Sequence, residues 1–304
     1  MMKIAVLGAG AMGCLYAAML SGRNAVTLYD AIPAVVDAVN GHGVICREAD
    51  GTERTCRIPA RLAGDCDGGY DLVILFVKDL FSRSALETNR AVIGPDTLLL
   101  SLQNGMGNEE IMREFADPAR ILLGTTKHNC VTLAPGEIYH SGAGMTHIGS
   151  PVGNRAAAEK VAALFRESGA DAEECDSVRH LLWEKLFVNM TINPLTALLD
   201  APIGTLATDK ELQAYARALI DEAVCVAAAD GERFDAETVF SQLIRTAAAL
   251  STGKASMCQD LEKKRRTEID FINGAVVRLG KRYGIPTPYH SAILHLIHAK
   301  ENLM

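Results

Sequence analysis

The chain has 304 residues and a mass of 32.6 kDa, a length that suits about two domains. It is 49% hydrophobic, 22% charged and 5% aromatic, with a formal net charge of −7. That balance excludes a disordered chain and argues against nucleic acid as the main partner, because polyanion-binding proteins concentrate positive charge.

The elements read in chain order alternate strand and helix. Ile4-Ala5-Val6-Leu7 is strand-sized and breaks at Gly8-Ala9-Gly10, too short an apolar run for a secretory signal. Cys14–Leu20 has the small and apolar residues of a buried helix, Ala25–Tyr29 is a second strand ending on Asp30, and Pro33–Asn40 is a helix stopped by Gly41-His42-Gly43. The continuous apolar run Leu72–Val77 predicts a strand covered on both faces, and Leu98–Leu102 and Ile121–Leu123 repeat the signal. Strands alternating with helices imply βαβ units and a parallel sheet. Val131–Ser150, punctuated by glycines, predicts hairpins closing the first domain. From Asp176 onward the pattern is helical, with three- and four-residue apolar spacings over Glu211–Ala229 and Glu237–Leu250. The expected fold is α/β: a Rossmann-type dinucleotide-binding domain over 1–175 and an all-helical substrate and catalytic domain over 176–304.

Eight cysteines are dispersed with no C-x-x-C pair, which predicts free thiols and a cytoplasmic protein. No ligand cluster has metal spacing, so no metal is expected. No run reaches the roughly 18 apolar residues of a spanning helix, and no membrane partner is expected.

Gly8-Ala9-Gly10-Ala11-Met12-Gly13 is G-x-G-x-x-G directly after a strand and opening a helix. In that context Gly8 permits the tight turn, Gly10 lets backbone approach a pyrophosphate, and Gly13 allows close helix–strand packing. The helix N-terminus offers unpaired N–H groups and partial positive charge to the phosphates. Asp30, 17 residues past Gly13, can accept hydrogen bonds from ribose hydroxyls and would repel a 2′-phosphate; no Arg or Lys follows at 31–33. The expected cofactor is NAD(H), with NADP(H) the alternative; the competing reading of Asp30 is a cap for the coming helix. Lys78, directly after a strand, is either a cofactor neighbour or a plain surface lysine.

Trp183–Pro194 carries Lys185, Asn189 and Asn193 at i, i+4, i+8, which puts all three on one helix face in an otherwise apolar segment. Buried polar groups are costly unless paired, and a ligand would pair them; a water-lined interdomain contact is the other reading. Pro194 is expected to end or kink the helix just beyond Asn193.

Several separated blocks carry a family resemblance. They are Met2-Lys3-Ile4-Ala5-Val6-Leu7 with the glycine motif, Gln103-Asn104-Gly105-Met106-Gly107, Lys185–Asn189 with Ile192–Ala197, Ser256-Met257-Cys258-Gln259-Asp260 and Thr267–Gly274. In these the chain resembles the ketopantoate reductase (2-dehydropantoate 2-reductase) family over essentially its whole length. The resemblance implies a two-domain enzyme with its cleft between the domains, reducing the ketone of a 2-oxo acid to give pantoate on the route to pantothenate. It implies Lys185 as the acid that protonates the alkoxide, a role that suits an ammonium. It implies Asn104, Asn189, Asn193 and Ser256 as groups orienting substrate or lysine, Asn104 lying near the cofactor as well, and Glu268 as the acidic residue accepting from the substrate hydroxyl.

Two departures qualify the substrate. Asp30 stands where NADPH-using members carry a basic residue just after it, and Ile203 stands where relatives can have asparagine. Both keep open an NAD-dependent D-2-hydroxy acid dehydrogenase acting on another branched or aromatic substrate. A non-catalytic dinucleotide sensor is the reading from another class, and it leaves Lys185, Asn189 and Glu268 without a purpose. Lys263-Lys264-Arg265-Arg266 reads as a solvated helix face, and His290, His295 and His298 as packing or surface histidines. Oligomeric state is not legible, although a long helical domain offers a face for a homodimer.

Overall fold

The computed structural model describes residues 1–66 and 68–304. It divides into two compact units, Met1–Gln103 with Asn108–Val178 and Asn104–Gly107 with Arg179–Met304.

The first unit opens β1 (Lys3–Leu7), α1 (Ala11–Leu20), β2 (Ala25–Asp30) and α2 (Pro33–His42). The short strands β3 (Val44–Glu48), β4 (Glu53–Cys56) and β5 (Ala60–Leu62) follow, then β6 (Leu72–Leu75), α3 (Ser82–Thr88), β7 (Leu98–Ser101) and α4 (Asn108–Met112). The unit closes with β8 (Ile121–Thr126), β9 (Asn129–Ala134), β10 (Glu137–Gly142), β11 (Thr146–Gly149), α5 (Arg155–Glu167) and β12 (Ala172–Glu174). Eight strands form one sheet in the order β12-β11-β8-β7-β6-β1-β2-β5, parallel from β5 through β8, with β11 antiparallel to β8. Strand order reverses between β1 and β6, the switch point at which doubly wound sheets bind ligands outside their carboxyl ends. The expected Rossmann architecture is present. β1, β6, β7 and β8 are almost wholly buried, as their predominantly apolar runs require.

Two details of this unit depart from expectation. The apolar run Leu72–Val77 leaves the sheet at Leu75, because Phe76 and Val77 turn over the glycine loop and a Cβ on Gly8 would lie 2.7 Å from the Val77 nitrogen. The glycine-punctuated region forms a hairpin as expected, but it lies outside the main sheet. The β9–β10 hairpin joins β3 and β4 in a separate four-stranded sheet, β4-β3-β10-β9, and only β11 returns to the main sheet. α1 lies between the sheets, with Cys14, Cys46 and Ile138 in the same buried cluster as Leu15 and Ala17. Burial pushes the Cys14 thiol up to about 12 and Cys46 up to about 11.

The second unit is helical: α6 (Val178–Leu199, whose first residue belongs to the first unit), α7 (Thr205–Thr208), α8 (Lys210–Ala229), α9 (Ala236–Ala249), α10 (Ser256–Glu262), α11 (Asn273–Tyr283) and α12 (Pro288–Asn302). Asp230, at the end of α8, ties three helices together. Its carboxylate accepts from Arg179 at 2.6 and 2.9 Å, from the Trp183 indole at 2.9 Å and from the Tyr283 hydroxyl at 2.7 Å. Burial alone would raise its pKa, but these donors hold it below the usual carboxylate value.

Of the two outcomes expected at Pro194 in α6, an end or a kink, the end does not occur. The helix does not end at Asn193 but continues to Leu199 with Pro194 inside it. Its C-terminal carbonyls are met by Lys300, whose Nζ donates to Ala197 at 2.6 Å and Leu198 at 3.1 Å. The basic run also differs from its reading: α10 ends at Glu262, and Lys263–Arg266 form an exposed turn with Lys264 at φ 51°. Among the described residues no helix is long and apolar enough to cross a membrane.

Candidate active site

The glycine loop closes the β1–α1 turn as its spacing requires. Gly8 sits at φ 103°, and its N–H donates to the Tyr29 carbonyl at 2.7 Å. A Cβ on Gly13 would lie 1.9 Å from the Gly8 oxygen, so the helix can seat itself here only without a side chain. Gly10 is different: it is exposed, and a Cβ there would meet nothing within 4 Å. It is also the N-cap of α1, with no side chain capping the first turn and no acidic residue in it. The positive end of a ten-residue helix therefore opens onto free space beside a bare backbone, a cradle that fits a dinucleotide pyrophosphate.

Asp30 borders this cradle. Its carboxylate accepts from the Ala9 N–H at 2.8 Å and from the Ile32 N–H at 2.9 Å. The helix-cap reading of Asp30 does not hold, since Ile32 is the N-cap of α2 and takes no side-chain cap. A carboxylate offers about four lone-pair positions, which leaves acceptor capacity for ribose hydroxyls.

Lys78 is half-buried at the start of a one-turn helix, Asp79–Phe81, directly beyond the strand-end turn of β6. A buried polar network that the motifs did not flag lies next to it. The Gln103 amide donates to the Val77 carbonyl at 2.7 Å and to Ser82 Oγ at 2.8 Å, and Ser82 donates to Asn108 Oδ1 at 3.0 Å. Asn108 in turn donates to Asp79, while Ser101 donates to Gln103 Oε1 at 2.8 Å. Gln103 belongs to a block carrying the family resemblance, whereas Asp79, Ser82 and Asn108 carried no sequence signal of their own.

In the second unit α6 carries Lys185, Asn189 and Asn193 at successive turns. Trp183, Leu186, Phe187 and Met190 are buried around them, whereas Lys185 and Asn189 keep partial access and Asn193 is 7% exposed. A second piece brings Asn104 near the acidic residue. Met106 N–H donates to the Phe271 carbonyl at 2.8 Å, and Arg278 donates to the Met106 carbonyl at 3.1 Å. Gly105, at φ 78°, presses against the Phe271 carbonyl, which a Cβ would approach to 2.3 Å. The Asn104–Gly107 loop is thus strapped to the turn that bears Glu268, whose carbonyl accepts from the Phe271 N–H at 3.0 Å. Ser256 is exposed and opens α10, which packs on α6 through Cys258 and Thr196, 3.5 Å apart. The irregular stretch ahead of Ser256 receives the Ile203 N–H at the Gly253 carbonyl, 2.9 Å, and Ile203 is 7% exposed.

The histidines serve structure. His290 is fully buried, with Nε2 2.9 Å from the Leu219 carbonyl, and His298 lies 3.2 Å from Asp270. Among the described residues no group of three or more His, Cys, Asp or Glu side chains could hold a metal ion.

The chain matches two family models. Residues 4–153 match "Ketopantoate reductase PanE/ApbA", and residues 177–301 match "Ketopantoate reductase PanE/ApbA C terminal". A curated 2-dehydropantoate 2-reductase of Streptococcus pyogenes is 33% identical over 306 aligned positions, covering 100% of this chain and 99% of the relative. A D-mandelate dehydrogenase, solved in a ternary structure with NADH and anilino(oxo)acetate, is 33% identical with a TM-score of 0.94, covering 99% of both chains. A PanE/ApbA family ketopantoate reductase from Ralstonia eutropha is 30% identical with a TM-score of 0.89, again covering 99% of both chains. The glycine cradle, the Lys185–Asn193 row and the strap on Phe271 are therefore parts of a chain that belongs to the ketopantoate reductase family.

Proposed function

We propose that the protein is a cytoplasmic, NADH-preferring 2-oxo acid reductase, with ketopantoate its first candidate substrate and pantoate the product. The observation that carries this reading is the row Lys185, Asn189, Asn193: three polar side chains on one face of a helix whose surroundings are apolar. When bound, the nicotinamide supplies the hydride that reduces the ketone carbon. The Lys185 ammonium stabilises charge developing on the carbonyl oxygen and gives that alkoxide its proton, leaving a neutral amine that solvent reprotonates. Asn189 and Asn193 hold the lysine and the acid in line, Asn104 and Ser256 add polar contacts, and Glu268 accepts from the substrate hydroxyl. Gly8, Gly10, Ala11, Met12 and Gly13 cradle the pyrophosphate, with Lys78 beside them. Asp30 accepts from the adenosine ribose and repels a 2′-phosphate.

A second reading, an NAD-dependent dehydrogenase of other D-2-hydroxy acids, is favoured by the buried apolar Ile203 and by similarity to a D-mandelate dehydrogenase bound to NADH. The deciding experiment is a steady-state assay of ketopantoate and of phenylglyoxylate, each with NADH and NADPH in parallel. Higher kcat/KM for ketopantoate supports the first reading and higher kcat/KM for phenylglyoxylate the second. Equal or better turnover with NADPH removes the role given to Asp30. Absence of cofactor oxidation with every oxo acid tried points to a dinucleotide sensor.

A further inference from the structure

Pro194 has no N–H, so within α6 the Met190 carbonyl loses its helical donor. That gap falls between Asn189 and Asn193, in the middle of the polar row. The gap is filled from outside the helix: Asn273 Nδ2 donates to the Met190 carbonyl at 2.9 Å. The second hydrogen of the same amide meets His290 Nδ1 at 3.2 Å. The tautomer of His290 follows from its other side, because Nε2 faces the Leu219 carbonyl at 2.9 Å and a carbonyl can only accept. Nε2 therefore carries the proton and Nδ1 accepts. Burial lowers the imidazole to about 4, so the ring is neutral near pH 7 and Nδ1 stays an acceptor.

Asn273 and His290 are both fully buried. Flipping the Asn273 amide would set its oxygen against two acceptors, so the orientation is determined even though Oδ1 is left buried without a hydrogen-bond partner. Asn273 also opens α11 directly after the Glu268 turn, where Ile272 N–H bonds the Glu268 carbonyl at 3.1 Å. One amide thus fastens the segment bearing Glu268 to the helix bearing Lys185.

We infer that Asn273, oriented by His290, is a positioning residue: it replaces the hydrogen bond that Pro194 removes and keeps Asn189 and Asn193 in register with Lys185. Its effect on turnover rests on the reductase reading; the hydrogen-bond replacement does not. Small misplacements in a catalytic row are expensive, so Asn273→Ala is expected to lower kcat about tenfold or more. The informative variant is Asn273→Ala combined with Pro194→Ala. There the alanine that replaces the proline supplies the missing N–H to the Met190 carbonyl, and kcat should return to within about twofold of Pro194→Ala alone.

Wild-type kcat in Asn273→Ala overturns the inference, and so does a double variant well below Pro194→Ala. If Asn273→Ala does not fold, the comparison within the Pro194→Ala background decides by itself. If the wild-type chain reduces no 2-oxo acid, the functional reading has failed, and amide hydrogen exchange over 190–197 tests the inference alone. Exchange should accelerate in Asn273→Ala, or in its place in Asn273→Asp, and slow again when Pro194→Ala is added; unchanged exchange overturns it.

Discussion

The roles proposed for Lys185 and Glu268 differ, and kinetics separate them. Lys185 is assigned to proton transfer, which contributes only in the transition state, so Lys185→Ala should lower kcat by about 10²–10⁴-fold with NADH affinity largely retained. Glu268 is assigned to holding the substrate hydroxyl, so Glu268→Ala should chiefly raise KM. Steady-state kinetics with an independent NADH titration check both; near-normal turnover in Lys185→Ala would remove it as the acid. Lys185 and its two asparagines were legible because i, i+4, i+8 spacing is a property of helix geometry alone. Asn273 was not legible as a partner, because its role depends on a carbonyl 83 positions away that only the packed helices bring to it.

At the scale of the element, the β1–α1 turn makes two glycines behave oppositely. Gly13→Ala places a methyl where the Gly8 oxygen lies 1.9 Å off, so backbone must move and a loss of about 1–3 kcal/mol or more is expected. Gly10→Ala adds a methyl to open space at φ −76°, so stability should stay within about 0.5 kcal/mol. NADH binding should nonetheless weaken if, as proposed, the pyrophosphate approaches through that space. Urea unfolding beside NADH titration distinguishes them, and equal stability losses would refute the assignment. The steric contrast between the two glycines follows from the motif. The continuation of α6 past Pro194 does not: local rules disfavour it, and a tertiary donor from Asn273 restores the hydrogen bond that proline removes, while Lys300 meets the carbonyls at the helix end.

At the scale of the whole molecule, acid should destabilise the fold in a defined window. His290 is held neutral by burial, its pKa lowered from 6.5 to about 4. The unfolded chain takes up its proton first, so stability is complete above pH 6.5 and falls as pH drops toward 4, by up to about 3 kcal/mol. His128 moves in the same direction through burial and the neighbouring His140. Asp230, lowered from its usual 3.8, adds a loss only below that value. Urea midpoints at pH 7.5, 5.5 and 4.5 should therefore decline, and the decline should be smaller in a folded His290→Gln variant. A flat profile contradicts this account.

The sequence by itself determined the Rossmann half, the helical half, the glycine cradle and the polar row. Each rests on periodicity, spacing or the steric demands of glycine, which act over a few neighbouring residues. Only the tertiary structure decided where the β9–β10 hairpin pairs, that Asn104 is strapped to the Glu268 turn, and that a proline could sit inside the helix carrying the row. Those outcomes depend on which distant donor reaches an orphaned backbone group. Pairing of that kind leaves no periodic trace in the chain, because it is settled when packed elements exclude water from the group.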